Sequence, residues 1–164
     1  MKYTLAVIDD ETDILDNLVH LLESEGGYEV RAFTSAREAY EVLSKDAPDA
    51  VLTDISMPEM SGLELIAGLR ENVPDLPVVI LSAFVDFKHA VKALRLGATD
   101  ILEKPYNEEE LLDTMAIAAS LGKTRKKIFD LIRQSQDESS SEIVNSLKKS
   151  QAIMSARSLG DSKD

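Results

Sequence analysis

The sequence predicts a doubly wound α/β domain followed by a helical extension, and three observations carry that reading. Short apolar runs at residues 5–8, 50–52 and 78–81 are the right length for buried strands, and stretches with a helical period stand between them. Gly26-Gly27, Pro48, the Pro74/Pro77 pair and Gly97 fall between these runs, where chain breakers punctuate elements. The balance of charge also changes sign along the chain. Residues 1–122 hold 9 Lys and Arg against 24 Asp and Glu, a balance of −15, whereas residues 123–164 hold 9 against 6, a balance of +3. That places a boundary near residue 122, with a domain over 1–122 and an extension or linker over 123–164.

The bulk composition narrows the function classes. The 164 residues have room for one domain of ordinary size plus an extension. Hydrophobic residues at 44% and charged residues at 29% describe a globular chain rather than a disordered or fibrous one. No apolar run approaches the roughly 18 residues that span a bilayer, and no signal-peptide pattern follows Met1-Lys2-Tyr3. The absence of cysteine excludes a disulfide framework and thiolate metal sites. A net charge of −12 argues against direct nucleic-acid binding, which needs clustered Lys and Arg. A cytoplasmic chain acting without membrane or nucleic acid is expected.

In order, residues 3–8 alternate too little for a half-exposed strand and read as fully buried. A helix over 11–25 gathers Ile14, Leu15, Leu18, Val19 and Leu22 on one face, and Gly26-Gly27 ends it. Residues 28–33 form a second strand. Ser35, with Glu38 at capping-box spacing, starts a helix to about residue 45. The third strand, 50–53, stops at Asp54, after which Pro58 and Gly62 impose an irregular loop before a helix over 63–71. Residues 78–81 are a fourth buried strand, 86–96 a fourth helix closed by Gly97, and 99–102 a short fifth strand. Asn107 caps a fifth helix whose first turn is acidic, Glu108 to Glu110.

Strands alternating with helices mean a parallel sheet covered on both faces and joined by right-handed crossovers. Of the doubly wound orders, the flavodoxin-like 2-1-3-4-5 suits five strands, and it makes strands 1 and 3 neighbours at the switch point where such sheets bind ligands. Asp9, Asp10 and Asp54 then converge on one crevice. Two unit charges about 4 Å apart repel by roughly 4 kcal/mol at an effective dielectric of about 20, so three clustered carboxylates call for a cation. Oxygen donors completed by water suit Mg²⁺. A carboxylate beside that ion can act as a nucleophile toward a phosphoryl group. Ser82 at the end of strand 4 and Lys104 just beyond strand 5 reach the same edge, and small Ala83 leaves the approach to Asp54 open. Taken singly, a strand-end Asp is a turn former, Ser82 a cap and Lys104 a solvated lysine. Their joint placement after strands 1, 3, 4 and 5 favours a phosphoryl-transfer site.

These motifs resemble the receiver domain of response regulators, the phospho-acceptor of two-component signalling, over residues 3–122. Asp9-Asp10 is similar to that family's acidic pair, Asp54-Ile55-Ser56-Met57-Pro58-Glu59-Met60-Ser61-Gly62 to its phosphorylation loop, Ser82-Ala83 to its switch hydroxyl and small neighbour, and Lys104-Pro105 to its lysine and proline. The resemblance implies that Asp54 takes a phosphoryl group from a phosphohistidine of a sensor histidine kinase. It implies Mg²⁺ on the Asp10 and Asp54 side chains and the Ser56 carbonyl, with Asp9 acting through water. Lys104 and Ser82 would hold phosphoryl oxygens, and the bond before Pro105 would be cis. Such a chain takes part in its own phosphorylation and dephosphorylation without being an enzyme. Three residues before the lysine, where many receivers carry Tyr or Phe, stands Ile101, which cannot reproduce an aromatic rotamer switch. Phe84 and Tyr106 read as packing residues, and Ser56 and Phe84 sit where side chains tune dephosphorylation.

The remaining candidates are weaker. His20 and His89 lie off the apolar stripes, are expected to be solvated, and have no partner at metal-ligand spacing. Ile117, Leu121, Thr124, Ile128 and Leu131 recur at 4-3-4-3 spacing, a short coiled-coil-like seam that would prolong helix 5 and offer a homodimer surface. The basic run 123–127 reads as a solvated helix face, 136–141 as a break, 141–154 as a short helix and 155–164 as a frayed, disordered end. The alternatives are the amino-terminal receiver of a larger regulator with an enzymatic or DNA-binding output, and a Mg²⁺-dependent phosphohydrolase. The latter is disfavoured because Ser56 stands where such enzymes want a second acid.

Overall fold

A computed structural model of the chain describes residues 2–83 and 86–134. The break, short helix and frayed end expected beyond residue 135, and Phe84, lie outside the described residues. Ten elements alternate: β1 (Tyr3–Ile8), α1 (Thr12–Ser24), β2 (Tyr28–Phe33), α2 (Ala36–Leu43), β3 (Ala50–Asp54), α3 (Gly62–Asn72), β4 (Val78–Ser82), α4 (Phe87–Arg95), β5 (Asp100–Glu103) and α5 (Glu108–Gln134). The five strands are parallel in the order β2-β1-β3-β4-β5, the order the sequence predicts. β1 and β3 pair from Leu5↔Ala50 to Ile8↔Thr53, which brings their carboxyl ends side by side.

Alternation along the strands divides the core in two. Ala6, Ile8, Val51, Val78 and Ile80 face one side and pack under α2, α3 and α4. Leu5, Val7, Leu52, Val79 and Leu81 face the other, against Leu15, Leu18 and Leu22 of α1 and Leu111 and Met115 of α5. Burial on both faces is why these strands read as continuous apolar runs rather than alternating ones. Each fully buried Leu or Ile contributes roughly 1.5–3 kcal/mol of transfer free energy.

The helix starts follow their capping residues. Ser35 Oγ accepts from Glu38 N at 3.3 Å, Asp86 Oδ1 from His89 N at 2.7 Å, and Asn107 Oδ1 from Glu110 N at 3.0 Å. Ser61 and Glu64 form a reciprocal capping box at α3, which starts that helix at Gly62, one residue ahead of the expected position. Gly97 takes φ +87° where α4 turns into β5, and the guanidinium of Arg70 fastens that turn by donating to the carbonyls of Leu96 and Gly97 at 3.1 and 2.6 Å.

The compact unit that holds the sheet runs Met1–Lys126. The basic run expected to be solvated is not so within it. Lys123 Nζ lies 4.3 Å from the centroid of the Tyr3 ring, Lys126 Nζ is 3.1 Å from Asp49 Oδ1, and Arg125 is half-buried. The side chains lie back on their own domain because Asp49 and an aromatic face supply partners that water would otherwise replace. A second unit begins at Lys127; its described part is the end of α5, where Ile128, Phe129 and Leu131 are exposed.

Candidate functional site

The site is built from strand ends. β1 stops at Ile8, and the next residue, Asp9, is 1% exposed, its backbone still tied to β2 by Asp9 N donating to Phe33 O at 3.1 Å. β3 ends on Asp54 itself, 8% exposed. Lys104 follows β5, its backbone N donating to Ser82 O at 2.8 Å, and the Lys104–Pro105 peptide bond is cis. Parallel register thus delivers side chains from three strands to one point.

The Lys104 ammonium occupies that point. Its Nζ lies 3.0 Å from Asp9 Oδ2 and 3.0 Å from Asp54 Oδ1. Each carboxylate uses its other oxygen locally: Asp9 Oδ1 accepts from Glu11 N at 2.9 Å, and Asp54 Oδ2 from Ser56 N at 2.9 Å. One cation therefore serves two buried anions. Burial pushes the Asp54 carboxyl above its ordinary 3.8, and the Asp9 charge adds to this, while Lys104 and the Ser56 N–H pull the other way without cancelling it. Burial alone would lower the Lys104 ammonium, but Asp54 and Asp9 outweigh it and hold its pKa above 10.5. The Asp54 shift is thus set by burial, and the Lys104 shift by the two carboxylates it faces.

The loop after Asp54 is closed tightly. Gly62 N donates to Ile55 O at 2.9 Å and Met60 N to Pro58 O at 2.7 Å, with Glu59 in the left-handed region at φ +64°. A Cβ on Gly62 would collide with the Asp54 carbonyl oxygen, so glycine is required there. Beside the loop a cleft of about 870 Å³ opens toward the start of α4, lined among others by Met57, Pro58, Lys88, His89 and Lys92.

Of the residues singled out from sequence, Asp9, Asp54 and Lys104 are in direct contact and Ser82 is buried at the neighbouring strand end. Asp10, Ser56 and Ala83 are exposed around them. Among the described residues no three His, Cys, Asp or Glu side chains are gathered as a metal-binding group. Lys104 stands between Asp9 and Asp54, and Asp10, the next residue after Asp9, is exposed. The donor set remains oxygen-only and carries more negative than positive charge, the chemistry that suits a hard divalent cation. Ile101 is half-buried against the α4 side of the core and, with Ser82, His89 and Ala93, lines a small cavity. Tyr106 packs against the α1 and α5 side. His20 and His89 are exposed, and His89 Nδ1 lies 2.8 Å from Asp86 Oδ1. The double salt bridge of Lys104 was missed from sequence, although a single lysine facing two acids at adjoining strand ends was the available signal.

A five-stranded doubly wound parallel sheet with two buried acids and a lysine meeting at its carboxyl edge is the architecture that comparison places. The description "Response regulator receiver domain" matches residues 5–116, and the chain belongs to that family as a receiver domain of two-component response regulators. Among curated relatives it is 38% identical over 115 residues to the response regulator MprA of Mycolicibacterium vanbaalenii, covering 70% of this chain and 49% of that protein. It is 40% identical over 111 residues to the DNA-binding transcriptional regulator NtrC of Proteus hauseri, covering 68% and 23%. A response regulator receiver domain from Clostridium thermocellum superposes with a TM-score of 0.67 at 32% identity, covering 77% of this chain and 98% of that one. The chain spans about half the length or less of these curated relatives.

Proposed function

We propose that Asp54 accepts a phosphoryl group from a phosphohistidine on a sensor histidine kinase. The observation that carries this is the buried Asp54 carboxylate at the end of β3, held with Asp9 on the Lys104 ammonium. An Asp54 oxygen attacks phosphorus, the phosphorus–nitrogen bond of the donor breaks, and the leaving imidazole keeps the electron pair and takes a proton. Lys104 shifts from pairing two carboxylates to pairing the new phosphoryl oxygens, and Ser82, buried at the end of β4, supplies a hydroxyl to another of them. Asp10, Asp54 and the Ser56 carbonyl would hold Mg²⁺, with Asp9 acting through water, and the ion would supply charge neutralisation at the transferring group. Ala83, exposed and small, leaves the approach open.

The chain in this reading is a phospho-acceptor that takes part in its own phosphorylation and dephosphorylation, and not an enzyme acting on other molecules. It works in the cytoplasm, where a kinase charged from ATP presents its histidine, and it touches neither nucleic acid nor membrane directly. No helix among the described residues is long and apolar enough to cross a membrane. Its output is altered partner binding, including a homodimer along α5, whose Ile117 and Leu121 are 63% and 52% exposed. A second reading makes the chain the amino-terminal receiver of a longer regulator with an enzymatic or DNA-binding output, favoured by the greater length of the matched relatives. The intact mass of the native protein from its own cells distinguishes the two. Incubation with acetyl phosphate and Mg²⁺ should add one phosphoryl group to the intact mass, and Asp54→Asn should abolish the addition. Equal phosphorylation of Asp54→Asn would sink the proposal.

A further inference from the structure

The sheet carries a third buried carboxylate, at the end away from Asp54, and the proposed phosphoryl chemistry makes no use of it. Asp49 precedes β3 and is 5% exposed. Its Oδ2 accepts from Thr4 N at 2.7 Å and from Thr4 Oγ1 at 3.1 Å, and its backbone N donates to Thr4 O at 2.7 Å, which fastens the starts of β1 and β3 together. The remaining oxygen, Oδ1, lies 3.1 Å from Lys126 Nζ. Two neighbours on α5 strengthen the contact. Gly122 faces the Asp49 backbone so closely that a Cβ there would collide with the Asp49 carbonyl, and Lys123 Nζ sits over the Tyr3 ring. Residues 122, 123 and 126 fall on one side of a helix, and each finds a partner on the amino-terminal edge of the sheet. Asp49 lies within the 5–116 span that matches the receiver family, whereas its partners Tyr3, Thr4, Gly122, Lys123 and Lys126 lie outside it.

We propose that Asp49, Thr4, Gly122, Lys123 and Lys126 form a clamp that holds the 122–126 stretch of α5 on the far end of the sheet from Asp54. A glycine with no room for a Cβ sets the close approach, a buried carboxylate anchors Lys126, and Lys123 rests on the Tyr3 ring beside it. The clamp keeps Ile117 and Leu121 turned outward, which makes it a regulatory contact for the partner surface in the proposed function. It rests on that reading only for its biological use, because its geometry is independent of Asp54.

Hydrogen–deuterium exchange on the full chain tests it, with Lys126→Met and Asp49→Asn compared with the parent. Losing a hydrogen bond to a buried charge should speed exchange of the α5 amides from 117 to 126 about tenfold, leave α1 and α3 unchanged, and make the double variant no faster than the single ones. Phosphorylation by acetyl phosphate should be the same in Lys126→Met as in the parent, which separates this idea from the phospho-acceptor reading. Unchanged exchange over 117–126 in Lys126→Met overturns the clamp, as does acceleration spread equally over every helix. If Asp49→Asn fails to fold, Lys126→Met and Lys123→Met still decide the question by the same measure.

Discussion

Replacing Lys104 by Met isolates the charge at the centre of the site, since Met keeps an apolar stem of similar reach. In the parent, Nζ lies 3.0 Å from an oxygen of Asp9 and 3.0 Å from an oxygen of Asp54, so those oxygens are no further apart than twice that distance. Two unit charges about 6 Å apart repel by about 3 kcal/mol at an effective dielectric of about 20. Removal of one partner of a buried pair is measured elsewhere at roughly 3–5 kcal/mol. Lys104→Met should therefore lower the unfolding free energy by about 3 kcal/mol at pH 7 in EDTA, read by urea titration under circular dichroism. Without the ammonium the Asp54 carboxyl rises further. The penalty is fully present above its folded pKa and is relieved as pH falls through that value toward the ordinary 3.8. Adding Asp9→Asn should recover most of the loss at pH 7, because one of the two opposed charges is gone. Equal stability of parent and Lys104→Met at pH 7 in EDTA would refute the account of one ammonium restraining two buried carboxylates.

Three further outcomes follow from the same contacts. Gly62→Ala forces the Asp54 carbonyl aside and should slow phosphorylation by acetyl phosphate by about tenfold or more, since small displacements of reacting groups cost that much; an unchanged rate would show that the loop yields without moving Asp54. Burial would raise the Asp49 carboxyl, but its hydrogen bonds to Thr4 and Lys126 win and hold it below 3.8. Its stabilising contribution is thus present above pH 3.8 and lost as pH falls through the folded value, so the melting temperatures of the parent and Asp49→Asn should differ at pH 6 and converge in strong acid. Arg70 donates to the carbonyls of Val73, Leu76, Leu96 and Gly97, and Arg70→Met should cost about 2 kcal/mol in urea unfolding by leaving partly buried carbonyls without donors.

What could be read from the sequence, and what could not, divides along a physical line. β1, β3 and β4 announce themselves because strands buried on both faces are built mostly of apolar residues, so Asp9, Asp54 and Ser82 mark the carboxyl edge close to where the apolar runs end. The strand order then follows from the handedness and adjacency of βα units, and the meeting of Asp9 and Asp54 follows from the order. Asp49 gave no such mark. It lies between Pro48 and a strand, with nothing in its neighbours to set it apart, and only the structure shows its oxygens committed to Thr4 and Lys126. The basic run 123–127 looked solvated because its partners, Tyr3 and Asp49, are distant in sequence. Gly122 carried a usable signal, since a glycine inside a helical pattern needs a packing reason.

Counting charge at the carboxyl edge connects the resting site to the proposed chemistry. Asp9 and Asp54 with Lys104 leave one negative charge uncompensated, and exposed Asp10 is placed next to them in the chain. Conversion of Asp54 to an acyl phosphate exchanges one negative charge for nearly two. Lys104, already shared between two carboxylates, cannot offset that addition, and each further unit of unbalanced charge at about 4 Å costs roughly 4 kcal/mol at an effective dielectric of about 20. In the proposed function a divalent cation would make up the deficit that phosphorylation creates, so the phosphorylated chain should hold Mg²⁺ more tightly than the unphosphorylated one. Calorimetric titration of Mg²⁺ into the chain with and without beryllofluoride, a stable phosphoryl mimic, measures that difference. Equal affinities in the two titrations would mean that charge balance at this edge is set by groups other than Asp9, Asp10, Asp54 and Lys104.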